Sequence, residues 1–264
     1  MSRIALPLKD FGSAVINWGS LIVLLMASQI AQKFTASRLG VIFAFAEPII
    51  LINLMIFMRV TVRNQLPLYG DSTAVFVSSG ILPFYIYLRV SLRTRGVRYN
   101  AAARIPGASS TDYAIASAMA EILVMLTITI LWFAAMWAYG LDSAEPASLA
   151  DCMEPLVFLM VLGFGVGLVN SAISQRFSLW TYIYSYLTYG LMFTSGVFFV
   201  VDMMPLHIRE VITWNPILHG VEWFRLGLYG QYLVHTLDRG YLVAFALAAL
   251  FFGFVAHRAT LRME

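Results

Sequence analysis

The chain has 264 residues, of which 60% are apolar and only 12% charged, with a mean hydropathy of +0.79 and a net charge of +3. Soluble domains average roughly 45–50% apolar and 25% charged residues, so there is too little polar surface here to coat a soluble globule. A disordered chain, a coiled coil, a disulfide scaffold and a soluble enzyme are excluded, and an all-α polytopic membrane protein forming a single domain over 1–264 is predicted.

Cys152 stands alone, which rules out an intramolecular disulfide and a cysteine metal site. The basic residues are Arg except for Lys9 and Lys33. Lys9 precedes Asp10 and Lys33 precedes Phe34, and neither follows the glycine-rich turn of a P-loop. ATP binding through a Walker motif of this chain is therefore not expected, and no metal site, cofactor or nucleic-acid partner is predicted for it.

The first element in chain order is Trp18–Leu39. Its apolar run Leu21–Ala27 is too short to cross a bilayer before Lys33 and Arg38. Ile22, Val23, Met26, Ala27, Ile30 and Phe34 recur at helical spacing opposite Ser28, Gln29, Gln32, Lys33 and Ser37, the pattern of a helix lying in the interface. A signal peptide fits less well, because charges stand where a cleavage site belongs. Six spans follow, at Val41–Val60, Thr73–Ser91, Tyr113–Gly140, Pro155–Ile173, Trp180–Val201 and Gly240–Ala256.

Glu47, followed by Pro48, lies inside the first span; it reads either as a functional ionisable group or as a structural one near the interface, capped by Arg38. The loop 92–112 follows the second span. With Arg93, Arg95, Arg98 and Arg104 it is either a plain positive-inside signature or a short helix, Tyr99–Pro106, protruding toward a partner. Ser110 or Thr111 is expected to cap the third span, in which Glu121 reads as an internal hydrogen-bonding group or, less favoured, a proton relay. Gly163 and Gly167 in the fourth span read as a small-residue packing face.

The fifth span is rich in tyrosine. Tyr182, Tyr186 and Tyr189 share one face and either line a wet path along which a sugar chain slides or belong to a packed core; a path predicts that Leu187 is the protected neighbour. The segment 202–238 mixes apolar residues with charges and reads as a re-entrant or interfacial element, with Asn215 capping a short helix that starts at Pro216. Basic residues concentrate in the segments that join the N-terminus, loop 92–112, Arg176 and the C-terminus, so both termini are expected in the cytoplasm.

These segments resemble the membrane subunit of ABC-2 type transporters, most closely the capsular polysaccharide export permeases of Gram-negative bacteria. The likeness is carried by Ser37-Arg38-Leu39-Gly40 with Ala46-Glu47-Pro48, by Ser195-Gly196-Val197-Phe198-Phe199, by Asn215-Pro216 through Glu222-Trp223-Phe224-Arg225, and by the order of the parts. The resemblance implies an inner-membrane homodimer with two copies of a separate ABC ATPase that holds ATP and Mg, exporting lipid-linked polysaccharide toward periplasmic and outer-membrane export proteins. O-antigen and teichoic-acid exporters share much of the pattern, while a drug or lipid exporter and a non-transporting membrane enzyme stand further off.

Within that frame the expected roles are specific. Tyr182, Tyr186, Tyr189 and Glu47 belong to the substrate path, and Arg38, Arg89 and Arg93 to a positive rim that loads the lipid end. Lys33, Arg95, Arg98 and Arg104 couple to the ATPase. Asn215, Pro216, His219, Glu222 and Arg225 form an outer gate, with Glu222 and Arg225 spaced to pair with each other.

Overall fold

The computed structural model describes residues 8–35, 40–62, 67–96, 108–232 and 234–261, with side chains over 16–32, 46–62, 67–96, 108–232 and 234–260. Among the described residues the chain is all-helical, without strands. The helices are α1 Leu8–Thr35, α2 Gly40–Phe57 with a π-helical extension Met58–Val62, α3 Thr73–Arg95, α4 Ser110–Ala138 and α5 Leu149–Arg176. α6 Trp180–Thr194, α7 Leu206–Ile212, α8 Pro216–Tyr229 and α9 Arg239–Leu261 follow.

Among the described residues, four helices are long and apolar enough to cross a membrane: Thr73–Arg95, Ser110–Ala138, Leu149–Arg176 and Arg239–Thr260. The predicted fifth span is shorter than expected. Helix runs only over Trp180–Thr194, about 22 Å at 1.5 Å per residue, against the ~30 Å of hydrocarbon in a bilayer. It stops because Gly196 takes a left-handed conformation (φ 68°) and the Thr194 and Ser195 hydroxyls fold back onto Leu191 O.

α3 forms the axis of the bundle. Its side chains Val75, Val77, Ile81, Leu82, Phe84 and Ile86 are buried among α2, α4, α5 and α8. The packing face expected of Gly163 and Gly167 meets α3: a Cβ on Gly163 would sit 2.6 Å from Tyr87 O, and one on Gly167 2.6 Å from Thr94 Cβ. The two helices thus run parallel, and α9 joins α5 on its other face, at Gly165. Exposed Leu123, Ile130 and Leu131 on α4, and Phe251, Phe252 and Val255 on α9, give these helices apolar outer faces suited to hydrocarbon rather than water.

Two local expectations need adjustment. α1 starts ten residues earlier than predicted, at Leu8, and buries Ile22 and Leu25 against Ala116 of α4 while Val23 points outward. The cap of α4 is Ser109, one residue before the expected pair. Its hydroxyl accepts from Asp112 N at 3.2 Å while the Asp112 carboxylate accepts from Ser109 N at 2.7 Å, a reciprocal capping box. The other Asp112 oxygen accepts the Trp18 indole N–H at 2.8 Å, which pins α1 to the start of α4.

Candidate functional site

The chain between α6 and α9 folds back along α5. Gly220 lies against Leu159, and Gly227 against the Asp151–Cys152 backbone. α8 is therefore antiparallel to α5, and its 14 residues span about 20 Å at 1.5 Å per residue. Asn215 places its start. Its carbonyl Oδ1 accepts from Ile217 N at 3.0 Å, while its amide donates at 2.9 Å to both Thr194 Oγ and Ser195 Oγ. Pro216 follows at the first helical position, as predicted. One side chain thus caps α8 and ties it to the end of α6.

Arg225 is fully buried in α8. It donates to Gly196 O at 2.8 Å, Val197 O at 2.9 Å and Phe199 O at 3.2 Å, and to Ser79 Oγ of α3 at 3.3 Å, with its guanidinium 4.1 Å from the centre of the Phe76 ring. The remaining carbonyl of that turn, Phe198 O, accepts from Arg59 on the π-helical extension of α2. All four carbonyls from 196 to 199 therefore face guanidinium groups, one from α2 and one from α8. Gly80 is required beneath this turn, because a Cβ there would approach Val197 O to 2.5 Å and Arg225 Nη2 to 2.7 Å.

The expected Glu222–Arg225 pair does not form. Spacing brings the two onto neighbouring turns, but Arg225 is saturated by carbonyls, and the buried Glu222 carboxylate instead accepts from Thr236 Oγ at 3.1 and 3.3 Å. Burial pushes the Glu222 carboxyl up to about 7, with the Thr236 hydroxyl and the charge of Arg225 opposing the shift and Asp202 adding to it. His219 is also buried, and burial lowers its pKa. Its Nδ1 accepts from Asp238 N at 3.1 Å, so the proton sits on Nε2 and is donated to Thr213 O at 2.9 Å. Nearby, Asp202 joins α7 to the segment before α9 through Arg209 at 2.9 Å and His235 at 3.2 Å.

Tyr182, Tyr186 and Tyr189 lie on the open face of α6, with Tyr186 75% exposed. The opposite face is anchored: Tyr184 is buried, its hydroxyl 2.7 Å from Ser91 Oγ and 3.2 Å from Tyr87 Oη of α3. Leu187, expected to be the protected neighbour, is half exposed.

Of the predicted loading residues, Arg89 and Arg93 are not free cations. Arg89 pairs with Glu47 at 2.5 Å, a contact that joins α3 to α2 and fulfils the capping role expected of Arg38. Arg93 donates to Gln29 of α1 at 2.9 Å, and Arg95 to Thr181 O of α6 at 3.1 Å. α3 thus reaches α2, α1 and α6 through three successive arginines. The Lys33 side chain, Arg38, Arg98, Arg104 and the proposed Tyr99–Pro106 helix lie outside the described residues.

Sequence reasoning missed Arg59, Ser79 and the 196–199 turn as a unit. Backbone carbonyls leave no residue signature. The available signals were arginines in strongly apolar segments, Arg59 and Arg225, and the Ser-Gly steps at 79–80 and 195–196.

The family model for ABC-2 type transporters matches residues 20–229. The chain is 28% identical over 237 residues to the polysialic acid transport protein KpsM of Escherichia coli, covering 89% of this chain and 91% of that protein. It is 26% identical over 255 residues to the capsule polysaccharide export inner-membrane protein BexB of Haemophilus influenzae, covering 93% and 92%. With the capsule polysaccharide export inner-membrane protein CtrC of Neisseria meningitidis serogroup B it shares 24% over 237 residues, covering 87% and 86%. With a matched region that runs from within α1 through the end of α8, the chain belongs to the ABC-2 type transporter family.

Proposed function

We propose that this chain is the membrane subunit of an ATP-driven exporter that moves lipid-linked capsular polysaccharide across the bacterial inner membrane. In this reading two copies assemble with two copies of a separate ABC ATPase, which holds ATP and Mg, and hand the polymer to periplasmic and outer-membrane export proteins. Both termini are cytoplasmic. α2 and α6 complete six crossings, with α6 reaching its outer side by sharing its depth with α8. The relatives named for capsule and polysialic acid transport support the substrate class, and no observation favours O-antigen or teichoic acid.

The observation in the structure that carries the reading is the open tyrosine face of α6. Three phenol rings at successive heights present flat apolar surfaces with hydroxyls at their edges. Sugar rings stack on such surfaces through their C–H faces and hydrogen-bond at their rims, each contact weak enough for a polymer to move on. Facing the same helix of a second copy, this face makes a wet path at the dimer axis. The exposed apolar positions Ile50, Leu54 and Phe57 on α2 supply its flanks.

Arg38, Arg89 and Arg93 lie at the cytoplasmic end in this reading. They attract the anionic lipid end, with Arg89 held by Glu47 and Arg93 by Gln29. Arg95, with Lys33, Arg98 and Arg104, couples to the ATPase. The element from Asn215 through Arg225 is the outer gate. Purified chain is expected to lack ATPase activity, and the complex with its ATPase is expected to be stimulated by purified capsular glycolipid. ATP hydrolysis by the chain alone, or unimpaired capsule export after deletion of its gene, contradicts the proposal.

A further inference from the structure

The start of α9, the segment before it and the junction of α7 with α8 enclose an open cavity of about 340 Å³ walled by Thr213, Trp214, His219, Thr236, Asp238 and Tyr241. That is within the ~300–1,000 Å³ range of small-molecule sites. Its chemistry is one-sided. Each wall hydroxyl has one proton to give, and each gives it inward: Thr213 to Glu210 O at 2.9 Å, Thr236 to Glu222 at 3.1 Å, Tyr241 to Trp214 O at 2.8 Å.

His219 has both nitrogens engaged and carries no positive charge in this arrangement, so it offers only its ring, which stands 5.2 Å from that of Tyr241. Asp238 has one oxygen on Tyr241 N at 2.9 Å, and its other oxygen is an acceptor. The neighbouring cation, Arg239, is turned away, paired with Asp151 at 3.0 Å and stacked 4.6 Å over Trp223. What faces the cavity is therefore a set of lone pairs, one carboxylate and three aromatic rings, with Trp214 78% exposed and its indole N–H a single donor among the acceptors.

We infer that this cavity is a sugar subsite selective for a pyranose ring that is uncharged or carries an amino group. Such a ring brings donors to walls that offer mainly acceptors, and an apolar C–H face for Trp214. An acidic sugar meets Asp238 and the lone pairs with its own negative charge, and that mismatch sets the selectivity. The inference deepens the exporter reading and rests on it, since in that reading the cavity lies beside the outer gate and samples the chain as it emerges.

The test is saturation-transfer NMR on the full chain in nanodiscs with methyl glucoside, glucosamine or glucuronate, alongside capsule export in cells. Signal from the first two sugars and none from glucuronate is expected. Trp214→Leu, which keeps an apolar residue at that position, is expected to bind roughly tenfold more weakly through loss of one stacking contact. Asp238→Asn, which keeps the α9 cap, is expected to admit glucuronate and to weaken glucosamine. No transfer from any of the three sugars, equal binding of glucuronate by the unaltered chain, or unchanged binding by Trp214→Leu overturns the inference; in the last case Trp214 is an interface anchor only. If export proceeds while the sugars fail to bind, the subsite is refuted and the exporter reading stands.

Discussion

Arg225 and Arg89 carry the same charge and are held in opposite ways. Arg225 is fully buried, with four acceptors around it and an aromatic ring beneath. The Arg89 side chain remains 22% exposed, and its carboxylate partner Glu47 is 55% exposed. A desolvated cation needs every donor matched by an acceptor, so the first arrangement tolerates little movement. The second leaves water within reach and is readily exchanged for another anion. The turn at 196–199 is thus built as a rigid joint between α2, α3 and α8, whereas the arginine series of α3 is built for exchange.

The comparison breaks most sharply at the joint. Arg225→Ala leaves the Gly196, Val197 and Phe199 carbonyls without partners, at about 1–3 kcal/mol for each one that is buried. The variant is expected not to accumulate in the membrane, and Arg225→Lys to accumulate poorly, because one ammonium cannot span three carbonyls. Quantitative blotting of membranes checks this. Wild-type levels of the Ala variant mean that the turn holds itself.

Asn215→Ala removes both a helix cap and the tie to α6, for about 1–2 kcal/mol. It is expected to lower the thermal unfolding midpoint of the purified protein more than Ser148→Ala, which removes only the cap of α5. Equal shifts mean that the tie contributes nothing.

The next effect is one of pH. The Glu222 carboxyl is raised from 4.5 to about 7 in the folded protein. Its protonated form therefore favours folding, a contribution present in full below the unfolded value and lost as pH rises toward and through 7. The midpoint is expected to fall between pH 5 and pH 8, and Glu222→Gln to flatten that slope and gain relative stability at pH 8. Parallel slopes for the two proteins mean that Glu222 does not titrate in this range.

Arg89→Ala has the smallest structural effect, at most about 1 kcal/mol for so exposed a pair. Membrane insertion is expected to be normal. In the exporter reading, glycolipid loading weakens, and the difference from wild type shrinks at high salt as the attraction is screened. A salt-independent loading defect points to lost packing instead.

How much of this was legible in the residues depends on what carried the information. Continuous apolar runs located α3, α4, α5 and α9, and Gly163 with Gly167 forecast a close packing face on α5, though not that α3 would meet it, because these are local patterns with a direct packing consequence. Asn215-Pro216 likewise marked the start of α8. The end of α6 was not legible, since the residues after Thr194 are as apolar as those before it, and the stop is made by Gly196 and by Asn215 from twenty residues away. The partners of Arg225 were hidden for a related reason. Helical spacing suggests Glu222, but carbonyl acceptors belong to the backbone and have no composition. Aromatic content flagged α6, yet only the packing of Tyr184 on Ser91 and Tyr87 shows which tyrosines are anchored and which are open.

That division of α6 into two faces is the central claim for transport. Its direct test is cysteine labelling of the assembled transporter in a Cys152→Ala background, with Cys introduced in place of Tyr186 or of Tyr184. The structure replaces Leu187 with Tyr184 as the protected control, because Leu187 is itself half exposed. A membrane-impermeant maleimide is expected to modify Tyr186→Cys rapidly, less so when polysaccharide occupies the path, and to leave Tyr184→Cys unmodified. Equal protection of the two positions contradicts the account, because it places the tyrosine face in a dry interface where no sugar chain can pass.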